Sequence, residues 1–87
     1  MADKMFVIFK ISPKDMDHLD ELVEKIKKIK SGQVKDIKRE PIGFGIEIIK
    51  AGIMVNEKEE GALEKLKNEI DKIDLIENAE IEGMTLI

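Results

Sequence analysis

Gly45-Ile46-Glu47-Ile48-Ile49-Lys50-Ala51-Gly52-Ile53-Met54-Val55 is the stretch on which the fold turns. Apolar residues occupy both alternating positions, and the run is longer than an average strand. Such a segment predicts a central strand covered by packing, with Gly52 as the place where it bends. On its N-terminal side, Val34 to Glu40 is charged, with Val34 and Ile37 as its only apolar anchors. Followed by Pro41, that segment predicts an edge strand ending at the proline. On the other side, Asn56 to Glu60 reads as a charged turn. Gly61 then leads into an amphipathic helix, because Leu63, Leu66, Ile70 and Ile73 recur at helical spacing. Asn78 to Thr85 closes the chain as another charged edge strand, with Ala79 and Ile81 facing inward.

The N-terminal part carries the same motif. Met5 to Ile11 is nearly continuously apolar and predicts the other central strand, broken by Ser12-Pro13. From Asp17 the spacing turns helical, with Leu19, Leu22, Val23, Ile26 and Ile29 on one face. Asp17, Asp20 and Glu21 favour the positive start of that helix, and Lys27, Lys28 and Lys30 its negative end. Gly32 supplies the stop. The order is therefore β-α-β-β-α-β, with apolar and charged strands alternating. The economical solution is a ferredoxin-like α+β domain over residues 1–87: a four-stranded antiparallel sheet with both helices on one face. The first and third strands are central.

Composition excludes much chemistry. The 87 residues hold no cysteine, one histidine (His18) and three aromatics, Phe6, Phe9 and Phe44. Thiolate metal sites, disulfides and thiol nucleophiles are absent, and one histidine cannot make a two-histidine metal site. Fifteen basic against nineteen acidic side chains give a net charge of −4, unlike a typical nucleic-acid-binding domain. The charge is split along the chain: residues 1–44 sum to +2 and residues 45–87 to −6. Charged residues reach 39%, with few side-chain amides, a thermophile-like balance. No apolar run approaches the ~18 residues of a membrane span, and no signal-peptide pattern opens the chain, so a cytoplasmic domain is expected.

The residues that bear chemistry have bland readings. His18 lies near the start of the first helix, off its apolar face, without a matching constellation. Lys25, Lys27, Lys28 and Lys30 read as a solvated helix face. Glu57, Glu59 and Glu60 resemble half a metal site but lack the glycine-punctuated pattern of a calcium loop. Base stacking, the mode of the RNA-binding version of this fold, needs aromatics together on the central strands. Phe6 and Phe9 face opposite ways and the third strand has none. No catalytic group, cofactor or metal ligand is assigned.

Between the second and third strands stands Glu40-Pro41-Ile42-Gly43-Phe44-Gly45-Ile46. Pro41 withdraws a donor and fixes φ, while Gly43 and Gly45 free the backbone on either side of Phe44. Two readings are open. Phe44 folds back over the core, as apolar residues usually do, or it is presented rigidly to plug a partner's pocket.

This string, followed by an apolar strand, an acidic turn and an amphipathic helix, resembles the elongation factor 1-beta family in its short archaeal form. The similarity covers essentially the whole chain, and its specificity lies in Pro41 to Gly45. The resemblance implies guanine-nucleotide exchange on elongation factor 1-alpha, the GTPase that delivers aminoacyl-tRNA to the ribosome. It also implies that Phe44 meets the nucleotide-binding domain of that GTPase, within a partner-binding loop of Pro41, Ile42, Gly43, Phe44 and Gly45. Eukaryotic members carry a near-terminal lysine implicated in disturbing the GTPase magnesium site. Here the end is Met84-Thr85-Leu86-Ile87, so that role does not transfer. The expectation is an exchange factor that is no chemical enzyme, monomeric when free, and without direct contact to nucleic acid or membrane. The competing readings are a small ligand-binding or regulatory domain on the same scaffold, and an assembly module using an edge strand.

Overall fold

The computed structural model describes residues 4–56 and 58–86. The elements are β1 (Lys4–Pro13), α1 (Leu19–Lys27), β2 (Gln33–Gly43), β3 (Ile46–Asn56), α2 (Ala62–Asp71) and β4 (Ile76–Leu86). All neighbours pair antiparallel in the order β2-β3-β1-β4, so the two apolar strands are central and the two charged strands form the edges. The ferredoxin-like α+β arrangement predicted from the sequence is the one observed.

Period-two alternation sorts each strand into two faces. The β1–β3 register pairs Val7 with Ile53, Phe9 with Ala51 and Ile11 with Ile49, and all six are completely buried. Leu22 and Ile26 of α1 and Leu66 and Ile70 of α2 join the same cluster, so both helices cover this one face. Val34, Ile37 and Ile81 of the edge strands pack against its margin. Fully burying each such side chain contributes ~1.5–3 kcal/mol, which places most of the stability in this layer. Glu69 of α2 ties the helices to the start of β2, accepting the N–H groups of Lys30 at 3.1 Å and Ser31 at 2.9 Å. Burial pushes its carboxyl up, but the hydrogen bonds from Ser31 and Lys30 outweigh burial and hold it below 4.5.

The other face is open, with Phe6, Ile8 and Met54 half-buried. Gly52 lies opposite a register shift in β2, between Val34 and Asp36. A side chain at Gly52 would run into the Phe6 ring, which lies across its backbone. Lys38, Lys50 and Lys10 occupy one cross-strand row on this face. Lys50 is offset by Glu40 at 3.0 Å and Glu82 at 3.3 Å, and hydrogen bonds to those two carboxylates raise its pKa.

Several boundaries differ from the sequence reading, β4 for one starting at Ile76 rather than Asn78. Ser12-Pro13 does not break β1, since Pro13 is its buried last residue, at a bulge opposite Ile76. Pro41 does not end β2 but pairs with Glu47 within it, as an edge strand allows. Helix α1 starts later than Asp17, because Asp15 accepts the His18 N–H at 3.1 Å in a turn before it. It also ends early, at Lys27, in a tight turn with the Ile29 N–H on the Ile26 carbonyl at 3.1 Å. Gly32 is therefore no helix stop. It lies where the chain crosses β3 so closely that a Cβ would meet Ile53 Cγ2 at 2.7 Å.

Candidate protein-binding site

Beyond Ile49 no β1 residue pairs with β3, and the sheet narrows to a two-stranded ribbon of β2 and β3. Gly43 pairs with Ile46, leaving Phe44-Gly45 as a two-residue turn, and Ile42 is the extra residue of a bulge. Three consecutive residues have positive φ: Gly43 at 109°, Phe44 at 57° and Gly45 at 74°. Positive φ at both central residues defines the type I′ turn, whose right-handed twist matches the strands. Glycine fits that geometry without cost. Phenylalanine does not, and the left-handed region costs it ~1–2 kcal/mol.

Phe44 is also fully exposed, at 102% of its reference area. The fold-back reading is thereby set aside, because the ring touches no core residue. Ile42 and Ile46, 55% and 44% exposed, flank it. The tip is thus an apolar patch with Pro41, Ile42, Gly43, Phe44 and Gly45 together, as the sequence grouped them. Ile46 belongs to it as well. As the sequence reading has it, Ile46 is in the third strand, where it is the first residue, and its exposed side chain extends the tip.

The ribbon's root is fastened by polar contacts. Arg39 donates from Nη1 to Asp20 of α1 and from Nη2 to Glu47 of β3, each at 2.9 Å. The Glu47 hydrogen bond, more than its charge and that of Asp20, raises the guanidinium pKa. The Glu47 N–H donates to Met16 Sδ at 3.2 Å. The connection between β1 and α1 therefore lies against the base of the hairpin. In that connection His18 Nδ1 stands 2.7 Å from Asp15 Oδ1, in the open. The hydrogen bond raises the His18 pKa above 6.5 and lowers that of Asp15 below 3.8. Of the acidic turn, Glu57 lies outside the described residues, and Glu59 pairs with Lys65 at 3.7 Å. Lys25, Lys27, Lys28 and Lys30 are all exposed. Among the described residues no group of three or more metal-ligating side chains is brought together, and no helix is long and apolar enough to cross a membrane.

Comparison with known proteins gives this tip a context. The family model of the EF-1 guanine nucleotide exchange domain matches residues 6–87. The chain belongs to that family. Curated relatives named elongation factor 1-beta agree across nearly their full lengths. The Methanocorpusculum labreanum protein is 39% identical over 82 residues, covering 93% of each chain. The Staphylothermus marinus protein is 32% identical over 84 residues, again covering 93% of each. The Thermococcus onnurineus protein is 34% identical over a 92-residue alignment spanning both chains completely. These relatives are archaeal and include thermophiles, in keeping with the charged, amide-poor composition. The crystal structure of PH0061 superposes with a TM-score of 0.65 at 22% identity, a likeness of fold alone. This chain covers 98% of itself but 52% of that chain in the superposition. Membership of the EF-1 exchange family gives the chain a nucleotide-exchange role in translation elongation, a role in which no covalent bond is made or broken.

Proposed function

We propose that the chain accelerates GDP release from the GTPase elongation factor 1-alpha by inserting Phe44 into an apolar pocket of its nucleotide-binding domain. The observation that carries this reading is the state of Phe44 in the free chain, fully exposed and held at φ 57°. An aromatic that gains nothing from packing and strains its own backbone has its favourable contacts elsewhere. Ile42 and Ile46 widen the contact, and Pro41, Gly43 and Gly45 set the shape of the turn that presents it.

Linkage supplies the mechanism. If the chain binds the nucleotide-free GTPase more tightly than the GDP-bound form, GDP binds the complex more weakly by the same ratio. The ring favours a GTPase conformation in which nucleotide contacts are poorly made. GTP then replaces GDP by mass action and expels the factor. The whole chain, residues 1–87, acts as one exchange domain, monomeric when free and working in the cytoplasm with the translation machinery.

The test is release of fluorescent GDP from archaeal elongation factor 1-alpha. The wild-type chain accelerates it. Phe44→Ala, folded by circular dichroism, weakens the interaction by ~2 kcal/mol or more, about 30-fold. Release that is equally fast with Phe44→Ala refutes the proposal.

A further inference from the structure

A two-stranded ribbon is marginally stable by itself in water, so the part of the hairpin beyond Ile49 needs support from elsewhere. Two consecutive residues at its root reach to opposite faces of the sheet. Glu40 meets Lys50 at 3.0 Å on the open face. Arg39, on the helix face, forks between Glu47 of the hairpin and Asp20 of α1. Of these two, only Arg39 joins the hairpin to a helix. The neighbouring Met16 contact lies on the same side, so helix-side support comes from the start of α1 and the connection leading into it.

We propose that Arg39 is a positioning residue for nucleotide exchange, holding the β2–β3 hairpin against the start of α1 so that Phe44 is presented at a fixed angle. This rests on the reading of Phe44 as the residue that enters the GTPase. Arginine suits the task because its planar fork engages two carboxylates at once, which a lysine ammonium does with less directional control. The pairs are exposed, so the effect expected is on orientation rather than on folding. A hairpin that populates the competent orientation only part of the time binds with an apparent affinity reduced by that fraction. Loss of the fork therefore raises the concentration needed for half-maximal exchange and leaves the maximal rate in place.

The experiment compares the full-length wild type with Arg39→Gln, Arg39→Lys, Phe44→Ala and the Arg39→Gln/Phe44→Ala double variant. Exchange on elongation factor 1-alpha is measured across factor concentration, and backbone amide order parameters of Gly43 to Ile46 are measured by NMR in the free chain. Arg39→Gln is expected to raise the half-saturating concentration about three-fold, a size in line with partly exposed ion-pair networks. Its maximal rate stays unchanged and order at the tip falls. Arg39→Lys falls between it and wild type. In the Phe44→Ala background the same substitution changes nothing further, because there is no ring left to aim. Unchanged half-saturation and tip order in Arg39→Gln overturn the proposal. So does an equal loss in the Phe44→Ala background, which marks direct contact of Arg39 with the GTPase. If Phe44→Ala exchanges as fast as wild type, the reading of Phe44 fails instead, and the order parameters alone decide whether Arg39 fixes the hairpin.

Discussion

Phe44 is disfavoured twice in the free chain, by exposure and by φ 57°. Asparagine tolerates the left-handed region and is a preferred residue at this place in a type I′ turn. Phe44→Asn is therefore expected to stabilise the fold by about 1 kcal/mol while abolishing most of the exchange activity. Thermal melts beside GDP-release assays check both halves, and a melting point that falls contradicts the strain argument. His18 gives a pH-dependent counterpart. Its pKa is raised by hydrogen bonding to Asp15, so its stabilising effect is complete below 6.5 and fades as pH rises through the folded-state value. Asp15 is shifted down, and its contribution is lost only on acidification through its own lowered pKa. The melting-point difference between wild type and His18→Gln should be greatest in mildly acidic buffer and shrink in alkaline buffer. A pH-independent difference would remove the ion pair from the account.

At the scale of elements, β3 and β1 were legible because apolar residues on both faces leave a strand nowhere to go but the centre of a sheet. The edge positions were legible too, since charge on β2 and β4 suits an edge. Boundaries were not. Pro13 and Pro41 look like breaks in a linear reading, yet each sits where the ladder does not need its N–H. Gly32 misleads for a related reason: a glycine after a helical run suggests a cap, while its need for space above Ile53 depends on a strand distant in sequence. Gly32→Ala should accordingly destabilise the protein by ~1–3 kcal/mol through overpacking, readable by urea denaturation. A neutral or stabilising effect would return Gly32 to the role of a flexible connector. The hairpin's glycines announced a turn around Phe44 from the sequence. The Arg39 fork did not, because Asp20 and Glu47 meet only after α1 folds onto the sheet.

For the whole molecule, the strand order changes the meaning of the charge split. Residues 1–44 supply β1 and β2, and residues 45–87 supply β3 and β4, so the order β2-β3-β1-β4 interleaves the two halves. The −6 of the C-terminal half is not an acidic side of the protein. One core spans both halves, and a central deletion is felt everywhere: Ile49→Ala is expected to cost ~2–5 kcal/mol, a large share of the total for a domain this small. Unfolding should remain a single transition by fluorescence-independent probes such as far-UV circular dichroism, at a lower denaturant midpoint. The ribbon beyond Ile49 also makes the molecule a lever. At ~3.3 Å per residue, the five residues from Ile49 to Phe44 form an arm of roughly 16 Å. A tilt of about 10° at the root swings the ring by roughly 3 Å, the width of a missed contact, so rotations too small to disturb the core are large enough to decide whether the ring finds its pocket.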